Sequence, residues 1–130
     1  MGCCFAQDIR KLVSDGAPSE NTYGVELRRD FIDLGYDLFR ERDTLKSKIL
    51  IIDIFDDGAD PWSTQLEGKI DIVYAASVFH LFNWEEQVRM AERVVRTLKP
   101  VKGSMMLERQ RGNLNPAEYE HKTNQGGTMF

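Results

Sequence analysis

The sequence predicts an α/β protein with a doubly wound, mainly parallel sheet. Two observations carry this prediction: strand patterns alternate along the chain with helix patterns, and one strand is a continuous apolar run. Alternation implies crossover connections between parallel strands. Continuous apolarity is typical of a strand that is covered on both faces. Right-handed crossovers then place helices on both faces of the sheet.

The first half of the chain predicts two helices and two strands. Residues 5–14 carry apolar side chains at helical spacing, and the stop signal at 15–18 ends this helix. Residues 22–27 form a short strand, and the next helix opens at Asp30. Its predicted apolar face comprises Phe31, Leu34, Leu38 and Phe39. Residues 49–52 are the continuous apolar strand.

The second half predicts a strand, a capped helix and a further strand. Residues 56–68 are rich in Asp, Gly and Pro and predict a loop, and residues 70–76 predict a strand. Asn83 is a good helix N-cap, and Glu86 completes a capping box with it. The predicted apolar face of this helix comprises Trp84, Val88, Ala91, Val95 and Leu98. Pro100 ends the helix, and residues 104–107 predict the last strand.

The end of the chain differs from the rest in composition. Residues 111–130 show little apolar periodicity and include adjacent glycines, so they predict a loop. We therefore expect residues 1–110 to form the core and residues 111–130 a loop-rich segment. With 130 residues and 42% hydrophobic content, the sequence predicts one small domain.

Charge and cysteine content exclude several classes of function. The net charge is −4 without a block of Lys or Arg, which argues against a surface for nucleic acid or anionic membrane. No apolar stretch is long enough to span a bilayer, and the first residues lack the pattern of a signal peptide. Cys3 and Cys4 are adjacent, which predicts neither a disulfide framework nor a zinc site. We expect a reducing, cytoplasmic location.

Acidic residues follow two of the predicted strands. In open parallel sheets, ligands bind beyond the carboxyl ends of the strands. Glu26 ends a strand about 20 residues after a glycine-containing turn, a position from which a carboxylate can accept ribose hydroxyls. Asp53 directly follows four aliphatic residues and can accept from a base amino group. Without further context, Glu26 also fits a surface turn, and Asp53 also fits a turn cap.

His80 is the other candidate for chemistry. It lies among apolar residues in the sequence SVFHLF, after the strand at 70–76. A histidine there can act as a base or orient a substrate. A single histidine among apolar residues is more often a packed side chain with one satisfied hydrogen bond, so the catalytic role is the less favoured alternative.

Longer stretches resemble a known family. KIDIVYAASVFHLFNWEEQVRMAERVVRTLKP resembles the fourth strand, fourth helix and "LKP" turn of class I S-adenosylmethionine (SAM) methyltransferases, which have a Rossmann-like fold. GCCFAQDIRKL, SDGAPSENTYGVELRRDFIDLGYDLFRERD and ERQRGNLNPAEYEHKTN are similar to a fungal group that serves secondary-metabolite pathways. That group includes carboxyl O-methyltransferases of meroterpenoid intermediates. The resemblance covers almost the whole chain.

The resemblance implies a cofactor, SAM, and a set of residues that hold it. These residues follow the predicted strands: Gly2 and Cys3 near the methionine end, Glu26 and Leu27 at the ribose, Asp53 and Ile54 at the adenine, and Ala75 and Ala76 on the sulfonium side. The family's first turn usually reads acidic-x-Gly-x-Gly-x-Gly. Of these glycines, this chain keeps only Gly2, and it carries Cys4 and Ala6 in place of an open turn.

The chain also departs from the family in length. Full members are about twice as long, and by resemblance this chain is truncated at both ends. It lacks the first strand, which normally lies between the second and fourth strands, and the C-terminal strand pair. Unpaired strand edges are costly, so we expect low stability or homo-oligomerisation.

Three functions fit the sequence. The first is SAM-dependent O-methylation of a small, apolar secondary metabolite at a carboxylate or hydroxyl. The second is a non-catalytic remnant, or a fragment that depends on a partner chain. The third is an NAD-binding domain, since Glu26 would also suit that ribose; the chain lacks the G-x-G-x-x-G pattern that this function requires.

Overall fold

The structure of the chain is a computed structural model that describes residues 1–56, 65–110, Leu114, 119–120 and 128–129. The chain divides into two compact units, Met1–Asp53 and Ile54–Phe130. The predicted loop at 56–68 lies largely outside the described residues, and so does most of the segment 111–130. Each unit contains one pair of parallel strands, which confirms the strand direction that the sequence predicts.

The first unit contains two helices and two strands. In chain order they are α1 (Gln7–Ser14), β1 (Tyr23–Glu26), α2 (Arg29–Phe39) and β2 (Lys48–Ile51). The two strands pair in parallel, with Gly24 opposite Ile49 and Glu26 opposite Ile51. The middle of β1 is buried, whereas Ile49, Leu50 and Ile51 of β2 are only half-buried. The continuous apolar run therefore forms the expected strand without being fully covered.

Helix α1 begins two residues later than the sequence predicts. Ala6 precedes it with φ 55° and ψ 33°, a left-handed backbone conformation that cannot continue a right-handed helix. Phe5 and Ala6 therefore belong to the preceding turn. Ile9 is the buried residue of the helix, and its Cδ1 atom would lie 2.8 Å from a Cβ placed on Gly24. The helix is thus packed closely onto β1.

Helix α2 turns a different face to the core than the sequence predicts. Its buried residues are Ile32 and Gly35, whereas Leu34 and Leu38 are 53% and 65% exposed. Gly35 explains the difference: a Cβ at this position would lie 2.7 Å from the backbone oxygen of Phe5. Because only a glycine permits this approach, the helix packs through the face that carries Ile32 and Gly35. The prediction based on Phe31, Leu34, Leu38 and Phe39 was wrong for that reason.

Arg10 joins three parts of the first unit. Its guanidinium donates to the carboxylate of Glu41 and to the backbone carbonyl of Phe5, and it lies 4.5 Å from the ring centroid of Phe39. The side chain is 9% exposed, so the charge is removed from water and balanced by its partners. This one side chain therefore links α1 to the N-terminal turn and to the end of α2.

The second unit contains the remaining elements. They are β3 (Ile72–Ala76), α3 (Trp84–Thr97), β4 (Met105–Arg109), β5 (Tyr119–Glu120) and β6 (Thr128–Met129). Strands β3 and β4 pair in parallel, with Ile72 opposite Met105. Strands β5 and β6 pair antiparallel, so these four residues are not the loop that the sequence predicts for 111–130. None of the helices that the structure describes is long and apolar enough to cross a bilayer.

The start of α3 confirms the predicted capping box, but its buried face differs from the prediction. Asn83 Oδ1 accepts from the Glu86 backbone, and the Glu86 carboxylate accepts from the Asn83 backbone, at 2.9 and 3.1 Å. The buried residues are Met90, Val94 and Thr97. Of the predicted face (Trp84, Val88, Ala91, Val95 and Leu98), Trp84 is 72% exposed. Thr97 can be buried because its hydroxyl donates to the Val94 carbonyl at 2.7 Å.

The β3–β4 pair is buried on one face. Val73 and Ala75 of β3 are buried, whereas Ile72 and Tyr74 are exposed. The register places Met105 and Leu107 of β4 beside these two exposed residues, and both are also exposed. The prediction of helices on both faces is therefore not met for this pair among the described residues.

Candidate functional site

The carboxyl end of β1 is organised around the carboxylate of Glu26. Its Oε2 accepts the backbone N–H of Cys4 at 2.8 Å. Its Oε1 accepts the backbone N–H groups of Leu27 and Arg28, at 3.0 and 3.1 Å. Hydrogen bonds from N–H groups to an ionised carboxylate are stronger than neutral ones. Glu26 therefore fixes both the chain that follows β1 and the N-terminal turn beside it.

The N-terminal turn alternates between left-handed and other backbone conformations. Gly2, Cys4 and Ala6 have φ angles of 60°, 50° and 55°. These are alternate positions, like the glycines of an x-Gly-x-Gly-x-Gly turn, and two of them here carry a Cβ. A left-handed conformation costs a residue with a Cβ about 1–2 kcal/mol. The turn thus keeps the backbone shape of a glycine-rich turn in spite of its sequence.

Cys3 anchors the same turn to β1. Its backbone N–H donates to the Val25 carbonyl at 3.1 Å. The carbonyls of Thr22 and Glu26 accept from the backbone N–H groups of Lys48 and Ile52, on the side of β2. The Val25 carbonyl therefore points to the opposite edge of β1, and Cys3 occupies part of that edge. Burial raises the pKa of the Cys3 thiol to about 11. Burial likewise lowers the pKa of the amino group of Met1.

Asp53 lies next to Glu26 at the end of the neighbouring strand. The Ile52 backbone N–H donates to the Glu26 carbonyl at 3.0 Å, so the pairing of β1 with β2 extends to the residue before Asp53. Asp53 is exposed, and Leu27 is 62% exposed. The first unit therefore brings Gly2, Cys3, Glu26, Leu27 and Asp53 to one end of its strand pair.

The carboxyl end of β3 carries the two predicted alanines of the second unit. Ala75 is fully buried and Ala76 is half-buried, as expected for neighbours on opposite faces of a strand. Ala75 therefore exposes neither its side chain nor its backbone at this strand end. Ser77 follows with φ 58°, and its N–H donates to the Arg109 carbonyl at 2.7 Å. Left-handed residues with a Cβ thus occur in turns of both units, before α1 in the first and directly after β3 in the second.

His80 lies in a short 3₁₀ helix, Phe79–Leu81, after β3. The side chain is half-buried, and its Nδ1 atom is buried without a hydrogen-bond partner among the described residues. A packed structural histidine would normally have this nitrogen satisfied. The structure therefore leaves His80 with an acceptor or donor position that the rest of the described chain does not use.

Ile54, the last of the predicted site residues, is half-buried at the start of a segment that α3 holds. Arg89 and Arg93 of α3 donate to the backbone carbonyls of Phe55 and Asp56, at 3.0 and 3.1 Å. Sequence reasoning missed these two arginines. Their spacing of one helical turn was visible, but their partners are backbone carbonyls, which no residue type marks.

Sequence reasoning also missed Cys4, because its contribution is a backbone N–H and not its thiol. No group of three or more His, Cys, Asp and Glu side chains able to hold a metal ion is found among residues that the structure describes.

Comparison with known proteins identifies similar sequences, although no protein-family model matches the chain. O-methyltransferase phiE of a fungal species (strain ATCC 74256) is 48% identical over 118 residues, which are 91% of this chain and 39% of that protein. O-methyltransferase atr3 of Stereocaulon alpinum is 49% identical over 114 residues, 88% of this chain and 33% of that protein.

The name of a third relative includes two compounds, asnovolin E and chermesin D. The asnovolin E/chermesin D methyltransferase nvfJ of Aspergillus novofumigatus (strain IBT 16806) is 44% identical over 109 residues. Those residues are 84% of this chain and 39% of that protein. The chain thus matches the three relatives over most of its own length but spans only 33–39% of theirs.

Proposed function

This chain is homologous to fungal secondary-metabolite O-methyltransferases, as its sequence predicts, and we propose that it forms the cofactor-binding part of a SAM-dependent methyltransferase. Glu26 carries most of this proposal. A carboxylate that three backbone N–H groups hold at a strand end is preorganised to bind a ligand there. Gly2 in the turn beside it lacks a Cβ and so allows a ligand to approach the backbone closely at that residue.

The acceptor capacity of Glu26 fits a ribose. An ionised carboxylate has about four acceptor positions. Leu27 and Arg28 fill both positions on Oε1, and Cys4 fills one on Oε2. One position therefore remains for a hydroxyl, and accepting a second hydroxyl would require the Cys4 N–H to move away. We propose that Glu26 binds one ribose hydroxyl and that Leu27 lies beside the sugar.

The other residues follow the same assignment. We propose that Asp53 accepts from the adenine amino group and that the backbone N–H and side chain of Ile54 contact the base. Asp53 supports this through its place at a strand end beside Glu26. Gly2 and Cys3 would contribute backbone groups to the methionine end, and Ala75 and Ala76 would lie on the sulfonium side.

The chemistry makes modest demands on this chain. Bound SAM would supply a methyl group already activated by its sulfonium, so the carbon–sulfur bond breaks as a carbon–oxygen bond forms. The protein has mainly to hold an acceptor oxygen in line. A carboxylate acceptor is ionised at neutral pH and needs no base. With a hydroxyl acceptor a base is needed, and we propose the half-buried imidazole of His80 for that role.

The acceptor we propose is a small, apolar secondary metabolite of the meroterpenoid class. The name of the Aspergillus novofumigatus relative supports a small-molecule acceptor for that protein. We propose a cytoplasmic location, as the composition predicts from two adjacent cysteines without a disulfide framework.

Calorimetric titration with S-adenosylhomocysteine tests the cofactor assignment, with NADH as the control ligand. We expect saturable binding of S-adenosylhomocysteine alone. Binding of NADH instead would favour the nicotinamide alternative. If the folded chain binds neither ligand, it is a non-catalytic remnant and the proposal is wrong. Circular dichroism of the same sample establishes whether the chain is folded.

Glu26→Gln tests the ribose contact in the same titration. Gln keeps one acceptor oxygen for the backbone but removes the charge, and we expect affinity for S-adenosylhomocysteine to fall by about 1–3 kcal/mol. Glu20→Gln is the matched control, since Glu20 is exposed in the short helix Ser19–Asn21. Equal affinity of the Glu26 variant and the wild type would contradict the assignment.

A further inference from the structure

Two arginines of α3 bind successive peptide groups of the segment that follows Asp53. Arg89 Nη2 lies 3.0 Å from the Phe55 carbonyl oxygen, and Arg93 Nη1 lies 3.1 Å from that of Asp56. The two arginines are four residues apart and so share one face of the helix. Hydrogen bonds from a charged donor are stronger than neutral ones. The segment is therefore held at two consecutive carbonyls by one rigid element.

The side chain of Phe55 is held as well. Its ring packs edge-on against Phe82, with the ring centroids 5.0 Å apart and the planes at 80°. The guanidinium carbon of Arg89 lies 5.6 Å from the centroid of the Phe55 ring. Edge-to-face rings and a cation near a ring face both stabilise the observed geometry. Backbone and side chain of Phe55 are thus both fixed within the second unit.

We propose that Arg89 and Arg93 are positioning residues for the adenine base. The inference rests on the proposed function, in which Ile54 and the residues beside it contact the base. The arginines do not touch the base themselves. By fixing the carbonyls of Phe55 and Asp56, they hold the chain directly after Ile54 and so restrict where the N–H and side chain of Ile54 can lie. Base recognition then depends on a helix that carries no ligand-binding residue of its own.

A ratio of two affinities tests this inference. S-adenosylhomocysteine and S-inosylhomocysteine differ only in the base. Hypoxanthine has an oxo group and an N1–H where adenine has an amino group and an acceptor N1, so it can neither donate to Asp53 through an amino group nor accept the Ile54 N–H at N1. We expect the wild-type chain to prefer the adenine compound. In the Arg89→Gln/Arg93→Gln double variant, we expect this preference to fall by about tenfold, the effect of losing one directed hydrogen bond. A general loss of stability would weaken both ligands alike and leave the ratio unchanged.

Two further variants complete the experiment. Arg96→Gln is the matched control, because Arg96 is exposed on the same helix, and we expect its ratio to equal that of the wild type. Arg89→Lys/Arg93→Lys keeps both charges and one donor at each position, and we expect it to restore part of the preference. If the double Gln variant does not fold, the single variant Arg93→Gln is measured in the same way.

The outcomes separate this inference from the proposed function. A wild-type chain that prefers S-adenosylhomocysteine, together with folded Gln variants of unchanged ratio, overturns the positioning role alone. A folded wild-type chain that binds neither compound overturns the proposed function, and the inference falls with it. A reduced ratio in the Gln variants with partial rescue by Lys supports both.

Discussion

The two units have similar secondary structure, but some of the interactions that stabilise them differ. Each contains one parallel strand pair and at least one helix. In Met1–Asp53, Arg10 bridges three parts of the chain, Glu26 fixes a turn, and Gly35 admits a close approach. In Ile54–Phe130, the helix α3 buries Met90 and Val94 completely and holds the segment after Asp53 through Arg89 and Arg93.

This difference shows where the sequence is most constrained. A backbone contact tolerates few residue types, since a single Cβ can prevent it. An apolar core tolerates many side chains of similar volume. Most of the proposed cofactor contacts lie in the first unit, where the backbone itself is positioned. The second unit leaves one face of its β3–β4 pair exposed.

The largest effect that we expect concerns the apolar core of the second unit. Val94 and Val95 are neighbours in α3, but Val94 is fully buried whereas Val95 is 65% exposed. Val94→Ala should lower the free energy of unfolding by about 2 kcal/mol, between the usual costs of Ile→Val and Leu→Ala. Val95→Ala should change it by less than about 0.5 kcal/mol. Urea denaturation measures both changes in the free energy of unfolding. A larger loss for Val95→Ala than for Val94→Ala would support the buried face of α3 that the sequence predicts.

A smaller effect is expected for the backbone contact of the first unit. Gly35→Ala places a Cβ against the carbonyl of Phe5. Overpacking costs about 1–3 kcal/mol, and the gain in helix propensity returns about 1 kcal/mol, so we expect a net loss of about 1 kcal/mol. Leu38→Ala, on the exposed face of the same helix, should be nearly neutral. A higher melting temperature for Gly35→Ala would show that the close approach is absent.

The smallest effect concerns the left-handed residues that both units share. Ala6→Gly removes the steric cost at φ 55° but adds chain entropy to the unfolded state, so we expect a gain of about 0.5 kcal/mol. Ser77→Gly in the second unit should behave similarly, because its φ is 58°. Ser14→Gly, at the last residue of α1, should instead destabilise by about 0.5 kcal/mol, because Gly is a poorer helix former than Ser. Thermal melts compare the three, and a loss for Ala6→Gly would contradict the strained turn.

Local signals in the sequence predicted much of the fold. The order of the first helices and strands, the parallel pairing and the capping box at Asn83 were predicted, because each depends on neighbouring residues. Boundaries differed by one or two residues. Helix α1 starts late because a left-handed residue precedes it, and a conformation of that kind is not marked by alanine.

The features that the sequence did not predict depend on packing between residues far apart in the chain. Both helix faces were wrong, since Gly35 and Thr97 count as poor core residues by composition but are buried for specific reasons. At the candidate site, the sequence predicted Glu26 and Asp53 because these acidic residues follow two of the predicted strands. The contacts of Cys4, Arg89 and Arg93 were missed because each joins a backbone group that any residue type could provide.

The raised pKa of the Cys3 thiol protects this cysteine from oxidation at neutral pH but makes the folded chain sensitive to alkali. The thiolate is the form that reacts with oxidants and alkylating reagents, and a pKa of about 11 keeps Cys3 protonated at neutral pH. The folded chain therefore binds this proton more tightly than the unfolded chain does, since the ordinary pKa is 9.0. The stabilisation is complete below that pH and is lost as the pH rises towards 11. Alkaline buffers would loosen the turn that Glu26 holds.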